Sequence, residues 1–265
     1  MEVTSLFSVK DKVVLITGGA KGVGRMISEG FVRNGAKVYI SSRDAAACDQ
    51  ACKELNSIST PSKGSAHALP ADLQSLEQVT KLVSQLSALE SKLHVLINNS
   101  GATWGTDYDA YPDQAFTKLL TLNLQRVFTL TQQLTPLLEK ASTPTDPARV
   151  IHIGSIDGIR VPSLPTFAYS ASKAGLHHLS RHLAVELGPR GITSNTLACG
   201  PFPSKMMAHT LENFGEEIKG ANPLGRIGSP GDVAGACIFL SSKAGGYVNG
   251  ATIALDGGVH LISKI

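Results

Sequence analysis

"LITGGAKGVGRMISEGFVRNGAKVYISSRD", residues 15–44, decides the fold. An apolar run ends in a glycine cluster, a helical pattern follows, and the β-branched run "KVYIS" (37–41) closes a βαβ unit. Gly18, Gly22 and Gly24 fall between strand and helix. There they permit a tight turn, close approach to a pyrophosphate, and close packing of the helix on the sheet. The helix N-terminus, around Val23, then offers backbone N–H groups to phosphates. The unit predicts a dinucleotide site. NAD-binding units hold the ribose 2′-hydroxyl with an acid about 20 residues beyond the glycines. Here that position is Ser42, followed by Arg43, and Lys21 lies in the glycine turn. Two cations and no carboxylate suit a 2′-phosphate, so NADP(H) is the expected cofactor. Asp44, one or two places late, is the competing acid.

The same alternation continues along the chain. Strands are expected at 12–17, 37–41, 66–70, 94–98, 149–154, 192–198 and 251–255. Helices are expected at 22–34, 45–57, 75–89, 113–140, 166–188 and 230–241. Apolar strands separated by helices predict one α/β domain over 1–265, a doubly wound Rossmann fold with a seven-stranded parallel sheet. Residues 200–229 have early prolines, an amphipathic middle and a Gly/Pro exit after a strand end, which reads as a flap over the site.

Composition narrows the function. The chain of 265 residues has 42% hydrophobic and 17% charged residues and a net charge of +3. That charge is too small, and too evenly spread, for a nucleic-acid partner. No apolar run approaches a membrane span, and "MEVTSLFSVKDK" has no basic stretch followed by an apolar one, so secretion is not expected. Cys48, Cys52, Cys199 and Cys237 lack zinc or redox spacing, so free thiols and no metal are expected.

"TFAYSASKAGLHHLSRHL" (166–183) carries the chemistry. Tyr169 and Lys173 are one helical turn apart, which brings ammonium and phenol to one face. A nearby positive charge is expected to lower the phenol pKa and ready it for proton transfer. Asp72 with Leu73 follows the third strand, and Asn99 with Gly101 ends the fourth in "INNSG" (97–101). Asn123 interrupts an apolar helix, and Ser155 ends the fifth strand fourteen positions before Tyr169.

T-G-x-x-x-G-x-G, N-N-x-G, Asn, Ser and Y-x-x-x-K occur in that order, followed by "DGG" (256–258). Together they resemble the short-chain dehydrogenase/reductase family over nearly the whole chain. Within it, "RDAAACD", "GATWGTDYDAYP", "QQLTPLL", "ARVIHIGS" and "FPSKM" are similar to its β-ketoacyl (3-oxoacyl) reductases. The resemblance implies Tyr169 as general acid, with Lys173 lowering its pKa and holding the nicotinamide ribose. It implies Ser155 orienting the carbonyl, Asn123 holding a water that links Lys173 to solvent, and Gly200, Phe202 and Ser204 beside the cofactor.

A ketone reductase acting on a 3-oxoacyl thioester or similar β-keto compound is therefore expected. A cyclic or polyketide ketone, or a sugar acid or polyol, is the alternative within enzymes. An NADP-sensing binding protein is the alternative outside them, and retention of all four residues argues against it. Three departures stand out: Cys199-Gly200 where the family has Pro-Gly, Ser100 for the usual Ala, and uncharged Thr129 and Val185. Carrier-protein reductases have basic residues at the last two positions, so coenzyme A esters or free ketones gain ground. The resemblance also implies a homotetramer, or a dimer, packed through 113–140 and 166–188. Ser263-Lys264-Ile265 is one conservative change from the S-K-L peroxisomal address.

Overall fold

The computed structural model describes residues 2–62, 64–205 and 207–262; the terminal tripeptide lies outside them. A short helix α1 (Val3–Leu6) precedes β1 (Val13–Thr17), α2 (Gly22–Arg33), β2 (Lys37–Ser41), α3 (Ala45–Asn56) and β3 (Ser65–Ala68). The second half runs α4 (Leu76–Leu89), β4 (Val95–Asn98), α5 (Asp113–Leu120), α6 (Arg126–Ala141), β5 (Ala148–Ile153) and α7 (Phe167–Leu187). It ends with β6 (Ile192–Cys199), α8 (Ala208–Gly220), α9 (Pro230–Ser241) and β7 (Thr252–Leu255). All seven strands pair in parallel in the order β3-β2-β1-β4-β5-β6-β7. The order reverses between β1 and β4, and ligands of such sheets bind at that switch, beyond the strands' carboxyl ends.

Alternation along the strands explains the two-faced burial. Val14, Ile16, Val95 and Ile97 point to a core made with α2, α3 and α9. Val13, Leu15 and Leu96 point to the opposite core, made with α4, α6 and α7. Helix starts follow local capping chemistry. The Asp44 carboxylate accepts from Ala47 N, Ser75 accepts from Gln78 N, and Ser229 with Asp232 forms a capping box ahead of α9.

The helix expected over 113–140 runs unbroken from 113 to 141, with a π turn, Thr121–Gln125, set between its α5 and α6 parts. There Arg126 N–H donates to the Thr121 carbonyl, five residues back, because the turn holds an extra residue. The amphipathic middle of the segment 200–229 forms α8, kinked at Phe214.

At the amino ends of the strands lies a buried charge cluster. Asp146 accepts from Lys12 Nζ at 2.8 Å and from Arg149 Nη2 at 2.9 Å. Arg149 is 1% exposed and also donates to the carbonyls of Leu240 (2.9 Å) and Ser242 (2.8 Å). Among the described residues no helix is long and apolar enough to cross a membrane.

Candidate active site

The glycine turn is shaped by proximity. A Cβ on Gly24 would overlap the Gly18 carbonyl oxygen, and Gly18 itself has φ +67°. No other residue type fits both demands without moving the turn. Thr17 fastens this turn to the tip of β4: its Oγ1 accepts from Asn99 N (2.9 Å) and Ser100 N (3.0 Å). Asn99 Nδ2 donates back to the Thr17 carbonyl at 2.8 Å. The flap begins against the same turn, since a Cβ on Gly22 would meet Ser204 Cβ at 3.1 Å.

At the β2 tip, Ser42 is partly buried and Arg43 is exposed. Lys21 is paired with Asp44 at 2.9 Å, both side chains being at least half exposed. Asp44, held also by its cap to Ala47, is an anion with a lowered pKa. Its carboxylate is thus engaged by Lys21 and by the α3 N-terminus, while Arg43 has no ion-pair partner among the described residues. Asp72 accepts from Gln74 N at 3.0 Å, and Leu73 is buried beside it.

At the other end, α7 presents Tyr169 and Lys173 toward the end of β5. Lys173 is 5% exposed, and its Nζ donates to the Ile153 carbonyl at 2.7 Å. Nζ also lies 5.7 Å from the centre of the Tyr169 ring. Burial brings Lys173 down to about 8. The lowered phenol expected from the sequence is not found. Burial pushes Tyr169 up to about 12, with the Ser155 hydroxyl acting in the opposite sense and Asp157 adding to the rise. Desolvation outweighs any effect of the ammonium, and the phenol keeps its proton at neutral pH.

Ser155 is buried, and its Oγ accepts from Asp157 N at 3.1 Å, which caps the short 3-10 turn Ile156–Gly158. Asn123 sits in the π turn, fully used: Oδ1 accepts from Ala102 N (3.0 Å), and Nδ2 donates to Ala102 O (2.9 Å) and Ser172 Oγ (3.0 Å). A Cβ on Gly101 would press on Asn123 Oδ1 at 3.2 Å and touch Lys173 Nζ at 3.7 Å, so the backbone after β4 runs close to both. Asn123, Ser155, Tyr169 and Lys173, the residues read as catalytic, lie together on one wall.

The Phe202 side chain is buried in the core, where a Cβ on Gly228 would overlap the ring, and it anchors the base of the flap. Gly200 fits tightly beside Asp256, a Cβ there falling 2.7 Å from Asp256 Cβ. Cys199 is buried, its thiol pushed up to about 12, and all four cysteines are free. Sequence reasoning passed over Thr17, Ser172 and His152. His152 is fully buried and bonds Ser194 Oγ at 3.1 Å. Each is an ordinary residue on a strand or helix until the fold shows its partner.

The loops around this wall carry a group of apolar and aromatic side chains beside Asp107, Asp109 and Arg160. Thr106 N donates to Pro165 O at 3.3 Å, joining the loop after β4 to the loop before α7. Tyr111 and Tyr108 pack edge-on against Phe167 at 5.5 and 5.8 Å. Trp104, Ile159, Val161 and Leu164 are exposed on the same two loops.

A glycine turn at the sheet's switch point, with Ser, Tyr and Lys at the end of β5, defines a dinucleotide-dependent oxidoreductase. The chain belongs to the short-chain dehydrogenase/reductase family. A family model described as enoyl-(acyl carrier protein) reductase matches residues 18–260. The rhamnolipids biosynthesis 3-oxoacyl-[acyl-carrier-protein] reductase of Pseudomonas aeruginosa is 40% identical over 96% of this chain and 98% of its own. A tropinone reductase homolog of Arabidopsis thaliana is 31% identical over 97% of this chain and 96% of its own. The solved Pseudomonas aeruginosa RhlG/NADP active-site complex superimposes with a TM-score of 0.92 at 39% identity, covering 98% of this chain and all of that one.

Proposed function

We propose that the protein is an NADPH-dependent carbonyl reductase that converts a β-keto compound, a 3-oxoacyl thioester or similar, to the secondary alcohol. The observation that carries this reading is the protonated Tyr169 hydroxyl beside the Ser155 hydroxyl, two donors suited to one carbonyl oxygen. The cofactor, when bound, supplies the hydride to the carbonyl carbon. Gly18, Gly22, Val23 and Gly24 would hold its diphosphate, and Ser42 and Arg43, with Lys21, its 2′-phosphate. Asp72, Leu73, Asn99 and Gly101 would line the adenosine half, and Gly200, Ser204 and the Phe202 backbone the nicotinamide half. The relative solved with NADP supports that cofactor.

Tyr169 donates its proton as the carbonyl oxygen gains charge, and the Ser155 hydroxyl stabilises that oxygen by a second hydrogen bond. The oxygen of a forming alkoxide is far more basic than a phenolate of pKa about 12, so the transfer runs downhill. Lys173 sets the phenol's surroundings and would hold the nicotinamide ribose. Asn123 clamps Ala102 and Ser172 beside Lys173, and a water held there would return a proton from solvent.

The apolar and aromatic side chains on the loops favour a substrate with hydrocarbon next to its ketone over a polyol. Uncharged Thr129 and Val185 favour a coenzyme A ester or a free ketone over a carrier-protein thioester. A cyclic ketone is the second reading, supported by the tropinone reductase homolog and the same side chains. Exposed Phe116, Phe128 and Val185 on α5, α6 and α7 support association into a tetramer, which sedimentation would test. Import through Ser263-Lys264-Ile265 would make a native-ended fluorescent fusion punctate and a tripeptide-deleted one diffuse.

Tyr169→Phe tests the assignment. Turnover of acetoacetyl thioester should fall by at least about 10²-fold, while NADPH binding stays within a few-fold. Near-wild-type turnover would overturn Tyr169 as the acid.

A further inference from the structure

His177 lies on α7 one turn beyond Lys173 and two beyond Tyr169, so the three side chains share a face. It is 4% exposed. Two glycines form a slot for the ring: a Cβ on Gly154 would overlap Nε2, and one on Gly158 would lie 2.8 Å from Cε1. In that slot Nε2 accepts a long hydrogen bond, 3.4 Å, from the backbone N–H of Ser155. Burial, then Lys173 and Arg181, bring His177 down to about 4. His152, facing from β5, is held lower still by burial and the same lysine. The ring is therefore neutral, its proton on Nδ1 and its lone pair on Nε2.

We propose that His177 is a positioning residue that holds the Ser155 backbone, and so aims the Ser155 hydroxyl at the substrate carbonyl. The inference rests on the reading of Ser155 as the residue that orients that carbonyl. Ser155 follows β5 by two residues and opens the 3-10 turn that leads into the loop before α7. Its own side chain caps the next turn, so a loose backbone would misdirect the hydroxyl. A displacement of about 1 Å at a reacting centre costs on the order of 10²-fold in rate.

The test compares His177→Leu, which fills the slot without an acceptor, with His177→Gln, which keeps one. His177→Asn, too short to reach Ser155, is a second loss variant that leaves the slot polar. We expect kcat to fall about tenfold or more in His177→Leu and His177→Asn, with unchanged NADPH binding, and to recover largely in His177→Gln. Ser155→Ala should lose more, and adding His177→Asn to it should cost nothing further. Both loss variants within twofold of wild type, or a full additional loss in the double variant, would overturn the proposal. A fully active Ser155→Ala would instead overturn the reading of Ser155 on which it stands.

Discussion

Strand β5 has a buried cation near each end, and the two are held differently. At its amino end, Arg149 meets a carboxylate and two carbonyls. At its carboxyl end, Lys173 donates to the Ile153 carbonyl, and no carboxylate pairs with it among the described residues. Burial lowers both pKa values, yet a guanidinium keeps its proton regardless. The ammonium, at about 8, stands where it can exchange one. A paired buried charge serves the fold; an unpaired one costs stability and serves chemistry.

Replacing Lys173 by Met should give the largest effect, a loss of turnover of at least about 10²-fold. Its stability should move the other way. The folded pKa lies below the 10.5 of an ordinary lysine, so between about pH 8 and 10.5 the folded state binds fewer protons. Stability from this group therefore rises with pH across that window, and the charge opposes folding at pH 7. Thermal denaturation at pH 7 should show a midpoint equal to or above wild type. A drop of several degrees would break the contrast.

Asp146→Asn should do the reverse. Burial pushes the Asp146 carboxyl up, but Lys12 and then Arg149 outweigh it and hold it below the ordinary value. Its contribution is thus present above the unfolded pKa and lost as pH falls through the folded one. Removing the charge leaves two cations facing each other at a partly buried site, at a cost of about 1–3 kcal/mol. Denaturant titration at pH 7 should register this, with turnover per folded molecule unchanged.

Smaller effects belong to the exposed rim at β2. Ser42→Asp with Arg43→Ser should cost at least about tenfold in NADPH efficiency and raise relative use of NADH. Unchanged preference in competing-cofactor assays would show Arg43 to be a solvated charge. Lys21→Ala should leave the thermal midpoint in place, because its pair with Asp44 is exposed, and weaken NADPH binding only a few-fold.

These regions also differ in how far the sequence exposes them. The parallel sheet follows from glycine spacing and strand periodicity, and Tyr169 beside Lys173 from the Y-x-x-x-K turn, whereas Asn123 and Ser155 stand out only through the family resemblance. The sign of the Tyr169 shift does not, because spacing reveals a neighbouring charge but not the depth of burial that outweighs it. Phe202 reads as a site residue from its place after β6, though its ring turns into the core. The Lys21–Asp44 pair joins residues 23 positions apart, and Arg149 finds its carbonyls more than 90 positions away. Such partners depend on strand order, which no local pattern carries.

The π turn at Thr121–Gln125 has a consequence for how the chain tolerates changes in length. A five-residue reach in place of four is a one-residue insertion absorbed without breaking the rod. Deleting a single residue there would let α5 and α6 run on as one regular helix, with every backbone bond remade. The casualty would be the clamp on Ala102, and with it the support beside Lys173. A deletion, more readily than a substitution, would thus convert this enzyme into a stable and silent copy of itself.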